Sequence, residues 1–370
     1  MAKQILGGTE GRPAAIWLDG NRRHAFNPLA TWSRRTIMHR ITFPLIGSLL
    51  ALFTLVGSVS AQIPAYLQFD GVNDYVQVDS SPDFSVDDNS PQTSPGLTVS
   101  AWIRPDTLTF SDVEGSLDCE KFVHWLGKGD VSGASGNREW VFRMYSLNPD
   151  CQPNPRQNRI SFYVFNPGGG LGTGSYFQEP VRPGQWIHVV GVVDNGFGDP
   201  QNTGLVGNKG KRTYIYKNGK LMDCDQYGGS ELKNTVTEVI TVINTEGRTK
   251  VNCVRDNLTM RPMLGGAPLR IGTRDHASYF QGSIAEVRIW NRPLSQQEVA
   301  DLYISSTAPD GLVAEYLLNQ DTGTDAFDTT LAHHGVIADG RDLTKPGRPP
   351  IPGATWVPPC FEGPQRVCGR

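Results

Sequence analysis

Short runs in which apolar and polar residues alternate strictly decide what this chain can fold into. In LTVSAWI, Leu97, Val99, Ala101 and Ile103 alternate with Thr98, Ser100 and Trp102, the two-residue period of a half-buried strand. WVFRMYS from Trp140 and RISFYVFN from Arg159 repeat that period. WIHVVGVVD, Trp186 to Asp194, is apolar on both faces and suits a central strand under cover. TYIYKNGKL reads as a hairpin with Asn218-Gly219 at its turn. YLQFDG and DYVQV flank Gly71-Val72-Asn73, which makes either a hairpin or a bent strand. PLRIGTR and GSIAEVRIWN supply two further strands, and the 41 Gly and 26 Pro suit many strands joined by turns. PLSQQEVADLYIS is the one convincing helix, with Ser295 as cap, Glu298 completing a capping box, and Val299 and Leu302 on its apolar side.

Five phrases stand in a fixed order: Tyr66 to Val78, Leu97 to Pro105, Gly184 to Asp194, Thr213 to Leu221 and Gly282 to Val299. Together they resemble the laminin-G-like jelly-roll domain of the concanavalin A-like superfamily, over roughly residues 66 to 357. The resemblance implies an all-β, two-sheet antiparallel jelly-roll sandwich with one short helix. GLVAEYLLNQDTGTDAFDTTLAHHGVIADG, from Gly311, resembles the closing unit of such domains. The expected organisation is an N-terminal extension with a signal peptide over 1–61, a jelly roll over 62–343 and a Pro-rich, disulfide-closed tail over 344–370. Insertions are expected near 109–140 and 223–266, the second carrying a β-prone run, TVTEVITVIN, that suits an extra hairpin strand. This fold hosts lectins, adhesion modules and glycosidases alike, so fold alone does not give function.

Arg34, Arg35, His39 and Arg40 precede an apolar stretch, Ile41 to Val59, that ends in Val59-Ser60-Ala61. Charge, apolar run and small residues in that order read as a signal peptide starting near Met38, with Gln62 as the first mature residue. The alternative is an N-terminal membrane anchor, for which the run is long enough. A secreted, extracytoplasmic body with no membrane span in the mature chain follows from the first reading. Cys119, Cys151, Cys224, Cys253, Cys360 and Cys368 are even in number and lack zinc-motif spacing, which favours disulfides. Sequential pairing is the simplest pattern, each bridge closing one insertion or the tail. Asn257-Leu258-Thr259 is a glycosylation sequon.

A net charge of −3 with scattered arginines gives no field that would recommend nucleic acid. Some concanavalin A-like glycosidases place carboxylates as Glu-x-Asp-x-Glu on one strand. The nearest match here is Glu114, Asp118 and Glu120, with Ser116 where the first carboxylate should stand. No catalytic residue is therefore assigned. His333-His334 reads as an exposed turn pair. Calcium wants oxygen donors gathered on loops. Asp70, Asn73 and Asp74 offer them, and Glu286 could join from the paired terminal strand, although Ala285 stands where the family often shows Asp. Alternatively, Asp70 and Asn73 simply close the turn. For sugar stacking the candidates are Trp125 and Trp140 beside the first insertion, with Arg143, Tyr145 and Tyr163. Trp102, Arg104 and His188 would join them if alternation placed all on one face. The expected function is a secreted adhesion or lectin-like module that recognises extracellular glycan or glycoprotein with calcium assistance. A glycoside hydrolase or lyase relative, or a purely structural interaction domain, is the alternative.

Overall fold

The computed structural model describes residues 62–63, 65–86, 96–115, 118–130, 137–151, 156–165, 172–177, 179–195, 212–226, 238–244, 247–255, 264–320, 322–338, 354–357, 360–361 and 367–368. The expected signal segment, the sequon and residues 344–353 lie outside them. In chain order the strands are β1 Gln62–Ile63, β2 Tyr66–Asp70, β3 Tyr75–Val78, β4 Gly96–Pro105, β5 Phe122–Lys128, β6 Trp140–Tyr145 and β7 Ile160–Val164. Then come β8 Thr173–Tyr176, β9 Ile187–Asp194, β10 Arg212–Lys217, β11 Lys220–Gln226, β12 Glu238–Asn244, β13 Gly247–Arg255 and β14 Leu269–Ile271. The last are β15 Gln281–Trp290, β16 Leu312–Tyr316, β17 Asp325–Ala326, β18 Gly335–Ala338, β19 Thr355–Val357, β20 Cys360–Phe361 and β21 Val367–Cys368, with helix α1 Gln296–Ser305 between β15 and β16.

The bend at Gly71 sets the layering. β2 belongs to a back sheet of 10 strands, β12-β13-β11-β10-β9-β4-β15-β2-β19 with β16 on β15, whereas β3 belongs to a front sheet of 8, β17-β18-β3-β14-β5-β6-β7-β8. The segment is thus a bent strand that changes sheets, not a hairpin. β1, β20 and β21 form a small third sheet. Pairing is antiparallel except between β11 and β13, which run parallel because the second insertion returns along β11 after the β12–β13 ribbon.

Alternation holds where it was read. Leu97, Val99, Ala101 and Ile103 of β4 face a core shared with Phe142, Phe162 and Ile284. β9 lies between β4 and β10. Its Val189 and Val193 enter that core, while Val190 and Val192 meet Trp290, Val299 and Leu302 under α1. A Cβ at Gly191 would stand 2.5 Å from the Phe162 ring, so only glycine lets β9 approach the front sheet this closely. The β10–β11 turn has left-handed Asn218 (φ 51) and Gly219 (φ 75), the backbone an Asn-Gly hairpin requires. At α1, Ser295 accepts from the Glu298 amide at 3.2 Å and the Glu298 carboxylate accepts from the Ser295 amide at 2.7 Å.

Two boundaries differ from the expectation. Residues 109–140 are not an insertion around the sandwich, because they contain β5, which pairs with both β14 and β6 inside the front sheet. The Pro-rich tail contributes β19 as an edge strand on β2, with Trp356 Nε1 donating to Gly323 O at 2.9 Å. Cys119 and Cys151 form a disulfide, as sequential pairing requires. Cys224 is disulfide-bonded and Cys253 stands opposite it in the β11–β13 register. Cys360 and Cys368 likewise face each other across β20 and β21. Among the described residues no helix is long and apolar enough to cross a membrane.

Candidate functional site

The outer face of the front sheet carries the densest chemistry. β5, β6 and β7 are neighbours whose register sets Phe122 opposite Tyr145, His124 opposite Arg143 and Val141 opposite Tyr163. Residues on the other parity, Trp140, Phe142 and Met144, go to the core. Phe122, His124, Arg143, Tyr145 and Tyr163 therefore share one face. The Arg143 guanidinium lies 4.1 Å from the Tyr163 ring, 4.4 Å from Phe122 and 5.3 Å from Phe165. Arg274 approaches Phe165 from its side at 5.0 Å. Such arginine–ring contacts orient the guanidinium and strengthen as water leaves. Phe122, Tyr163 and Phe165 are only partly buried, which leaves some of their surface open to a flat ligand. Burial lowers the Arg143 pKa, with Tyr145 and Tyr163 opposing, and burial raises that of Tyr163.

Next to these rings, the loop from Gly272 to Ser278 brings Arg274, Asp275 and Ser278 over β5. Its backbone is left-handed at Gly272 (φ 94), His276 (φ 62) and Ser278 (φ 50). Two non-glycine residues held there cost about 1–3 kcal/mol each, strain that clusters at working sites. Ser278 Oγ lies 3.1 Å from His124 Nδ1 and donates to Glu114 Oε1 at 3.0 Å. His124 Nδ1 is 3.5 Å from Glu114 Oε1 and 3.7 Å from Asp275 Oδ1. Arg274 pairs with Asp275 and stands 3.7 Å from Glu114. Burial, only partly opposed by Glu114, draws the Arg274 pKa down to about 9, so it stays charged at neutral pH. Burial, followed by the charges of Arg274 and Arg143, holds His124 well below its ordinary range and hence neutral.

Of the sequence candidates, Arg143, Tyr145 and Tyr163 are brought together. Trp125 and Trp140 are not at the surface: both are fully buried. Trp125 stacks on Phe142 with ring centroids 4.5 Å apart, and Trp140 Nε1 donates to Phe84 O at 2.7 Å. Both rings are packed into the core between the sheets, so neither can meet a ligand. Trp102, Arg104 and His188 lie on the outer face of the back sheet instead. Trp102 packs beside His188 (5.2 Å) and Tyr303 (5.8 Å), and Arg104 rests over Tyr66 and Trp186.

The four calcium candidates do not converge. Asp70 Oδ1 accepts from the Val72 amide at 2.8 Å and the Asn73 amide at 3.4 Å, and Asp74 Oδ2 accepts from the Asp70 amide at 3.0 Å, so these side chains close the corner. Gln281 is opposite Asp70, which leaves Glu286 roughly 16 Å further along β15. There it sits at a bulge and pairs with Arg288 at 3.2 Å. Glu114, Asp118 and Glu120 do not share a strand face: Asp118 and Glu120 belong to a 3-10 turn, and Glu120 pairs with Arg156. His333 and His334 border a turn built on Asp328, the first 3.1 Å from Asp83 and the second accepting the Asp328 amide. Sequence reasoning missed His124, Asp275 and Ser278. A signal was present in the charged stretch Arg274-Asp275-His276 directly after the PLRIG strand.

Residues 253–300 match the laminin-G family model described as the concanavalin A-like lectin/glucanases superfamily. The match covers 48 of the 370 residues, and the two-sheet arrangement is consistent with a jelly-roll sandwich. No curated protein matches the chain in sequence. Among solved structures, the chain is similar to a protein from Bacteroides ovatus proposed to bind carbohydrate, at 16% identity and a TM-score of 0.43 over 75% of this chain and 58% of that one. It is also similar to a pentraxin from Limulus polyphemus (12%, TM-score 0.35, 65% of this chain and 82% of that one). A third is a domain of an extracellular arabinanase from Geobacillus stearothermophilus in complex with arabinotriose (16%, TM-score 0.31, 57% and 66%).

Proposed function

We propose that the chain is a glycan-binding module whose ligand rests on the outer face of the front sheet. The observation that carries this is the Arg143 guanidinium bracketed by the rings of the partly buried Phe122, Tyr163 and Phe165. A sugar ring has an apolar C–H face and a rim of hydroxyls. Partly buried aromatic rings receive the first, and a fixed guanidinium with neighbouring carboxylate and phenol groups bonds the second. Glu114, Arg274 and the hydroxyl of Tyr145 supply that polar border. The proposed setting is extracytoplasmic, where the chain acts as a recognition or adhesion module. The Cys119–Cys151 bridge supports that setting, since disulfides persist in oxidising compartments.

The test is a glycan array probed with the purified, oxidised chain. Binding to a defined sugar class is expected, abolished by Arg143→Ala and by Tyr163→Ala and unchanged by Trp102→Ala on the opposite sheet. A blank array with correctly folded protein, or binding that follows Trp102 in place of Arg143, overturns the reading.

A further inference from the structure

We propose that His124, Glu114 and Asp275, with Ser278 beside them, form a binding site for a transition-metal dication of the Zn2+ type. The three donor atoms, Nδ1 of His124 and one oxygen from each carboxylate, lie within 4.8 Å of one another. Around a tetrahedral Zn2+, with bonds of about 2.0–2.1 Å, neighbouring donors stand roughly 3.4 Å apart. Here His124 Nδ1 is 3.5 Å from Glu114 Oε1 and 3.7 Å from Asp275 Oδ1, and Ser278 Oγ offers a fourth corner at 3.1 Å from the imidazole.

The carboxylate oxygens are divided between two tasks. Arg274 engages Oε2 of Glu114 and Oδ2 of Asp275. Oε1 of Glu114, which also accepts from Ser278 Oγ, and Oδ1 of Asp275 are the oxygens nearer His124, and arginine contacts of this kind orient metal-bound carboxylates. Asp275 is the independent sign of a ligand. Its side chain is fully buried, and while Arg274 holds Oδ2, Oδ1 accepts no hydrogen bond. A buried carboxylate oxygen left without a donor is costly. One imidazole with two carboxylates suits Zn2+ or a similar first-row ion, not calcium, which needs six or more oxygens. Glu114 is part-exposed, with 31% of its side chain accessible, and so provides the entry path.

The experiment titrates the metal-stripped full-length chain with Zn2+ by calorimetry and with Co2+ by visible absorption, and follows the histidine ring signals by NMR. One equivalent of Zn2+, the intense absorption of four-coordinate Co2+ and a Zn2+-induced shift of the His124 signals are expected. His124→Gln and Asp275→Asn should lose on the order of 100-fold in affinity, and Asp70→Asn should lose none. Should those two variants fold poorly, Ser278→Ala together with the wild-type His124 signals decides the matter. A folded wild type that gives neither heat nor Co2+ absorption overturns the proposal. So does Zn2+ that shifts only the exposed His276 or His334, or that binds His124→Gln unchanged. Because no sugar enters the experiment, its outcome is separable from that of the glycan array.

Discussion

Lys128 carries a charge to a place with no accessible surface. Its ammonium donates to the buried carboxylate of Glu139 and to Gly265 O at 2.7 Å, and the Gly265 amide returns to Glu139 Oε1 at 2.9 Å. The ring joins β5, the start of β6 and the loop before β14. Burial pushes the Glu139 pKa up, and Lys128 pulls it back. Removing one member strands the other, so Lys128→Met alone should cost about 3–5 kcal/mol. The double variant Lys128→Met with Glu139→Leu should recover most of that loss. Urea unfolding of the three proteins checks it, and additive losses would show that the two residues act independently. The same residues explain why β5 was hard to read. In FVHWLGK, His124 and Lys128 interrupt the apolar pattern, and a bulge after His124 turns Leu126 inward beside Trp125. What makes those polar residues tolerable, Glu139, Gly265 and Ser278, is supplied by distant parts of the chain. Alternation inside one strand shows none of them, and so Trp125 and Trp140 looked free.

At the scale of elements, local chemistry was legible wherever it is self-contained. The Ser295–Glu298 box and the Asn218–Gly219 turn use only neighbours in sequence, and both are present as read. Ser295→Ala should lower stability by about 1 kcal/mol, measured by thermal unfolding. Glu298 adds a pH dependence. Its hydrogen bonds to Arg292 pull its pKa from 4.5 down to about 2, against the opposing effect of burial. A depressed carboxyl stabilises above its unfolded value and loses that contribution as pH falls from about 4.5 toward 2. The pair is part-exposed, with 32% of the Glu298 side chain accessible, so the effect is modest and screened by salt. Glu298→Gln should flatten stability in that window. The Cys119–Cys151 bridge behaves differently, because it spans 32 residues and ties the segment after Glu114 to the connection beyond β6. Cys119→Ala with Cys151→Ala should cost about 3 kcal/mol and also weaken ligand binding at the front sheet. Full binding by a stable double variant would separate the bridge from the site.

For the whole molecule, alternation told inside from outside on each strand but not which sheet a strand joins. That choice rests on pairing between distant segments, such as β15 between β2 and β4. Arg143 and Trp102 therefore looked interchangeable in sequence, yet they lie on opposite outer faces. The back face has its own signature in His188, which is packed beside Trp102 and Tyr303 with no hydrogen-bond partner for Nδ1. Burial, then the Arg288 charge, lowers its pKa from 6.5 to about 3. Above pH 6.5 the ring is neutral in folded and unfolded chains alike, and it adds no pH dependence. Between pH 6.5 and about 3 only the unfolded chain takes the proton. Stability must then fall with decreasing pH, by up to about 1.4 kcal/mol per pH unit from this residue. His188→Phe keeps a ring between Trp102 and Tyr303 and gives up no Nδ1 bond. It should leave stability at pH 7.5 nearly unchanged and make the acid limb shallower. Unfolding free energies of the two proteins should nearly coincide at pH 7.5 and then separate in favour of the variant as pH falls toward 4. Parallel curves would mean that His188 takes up its proton in the folded chain as readily as in the unfolded one.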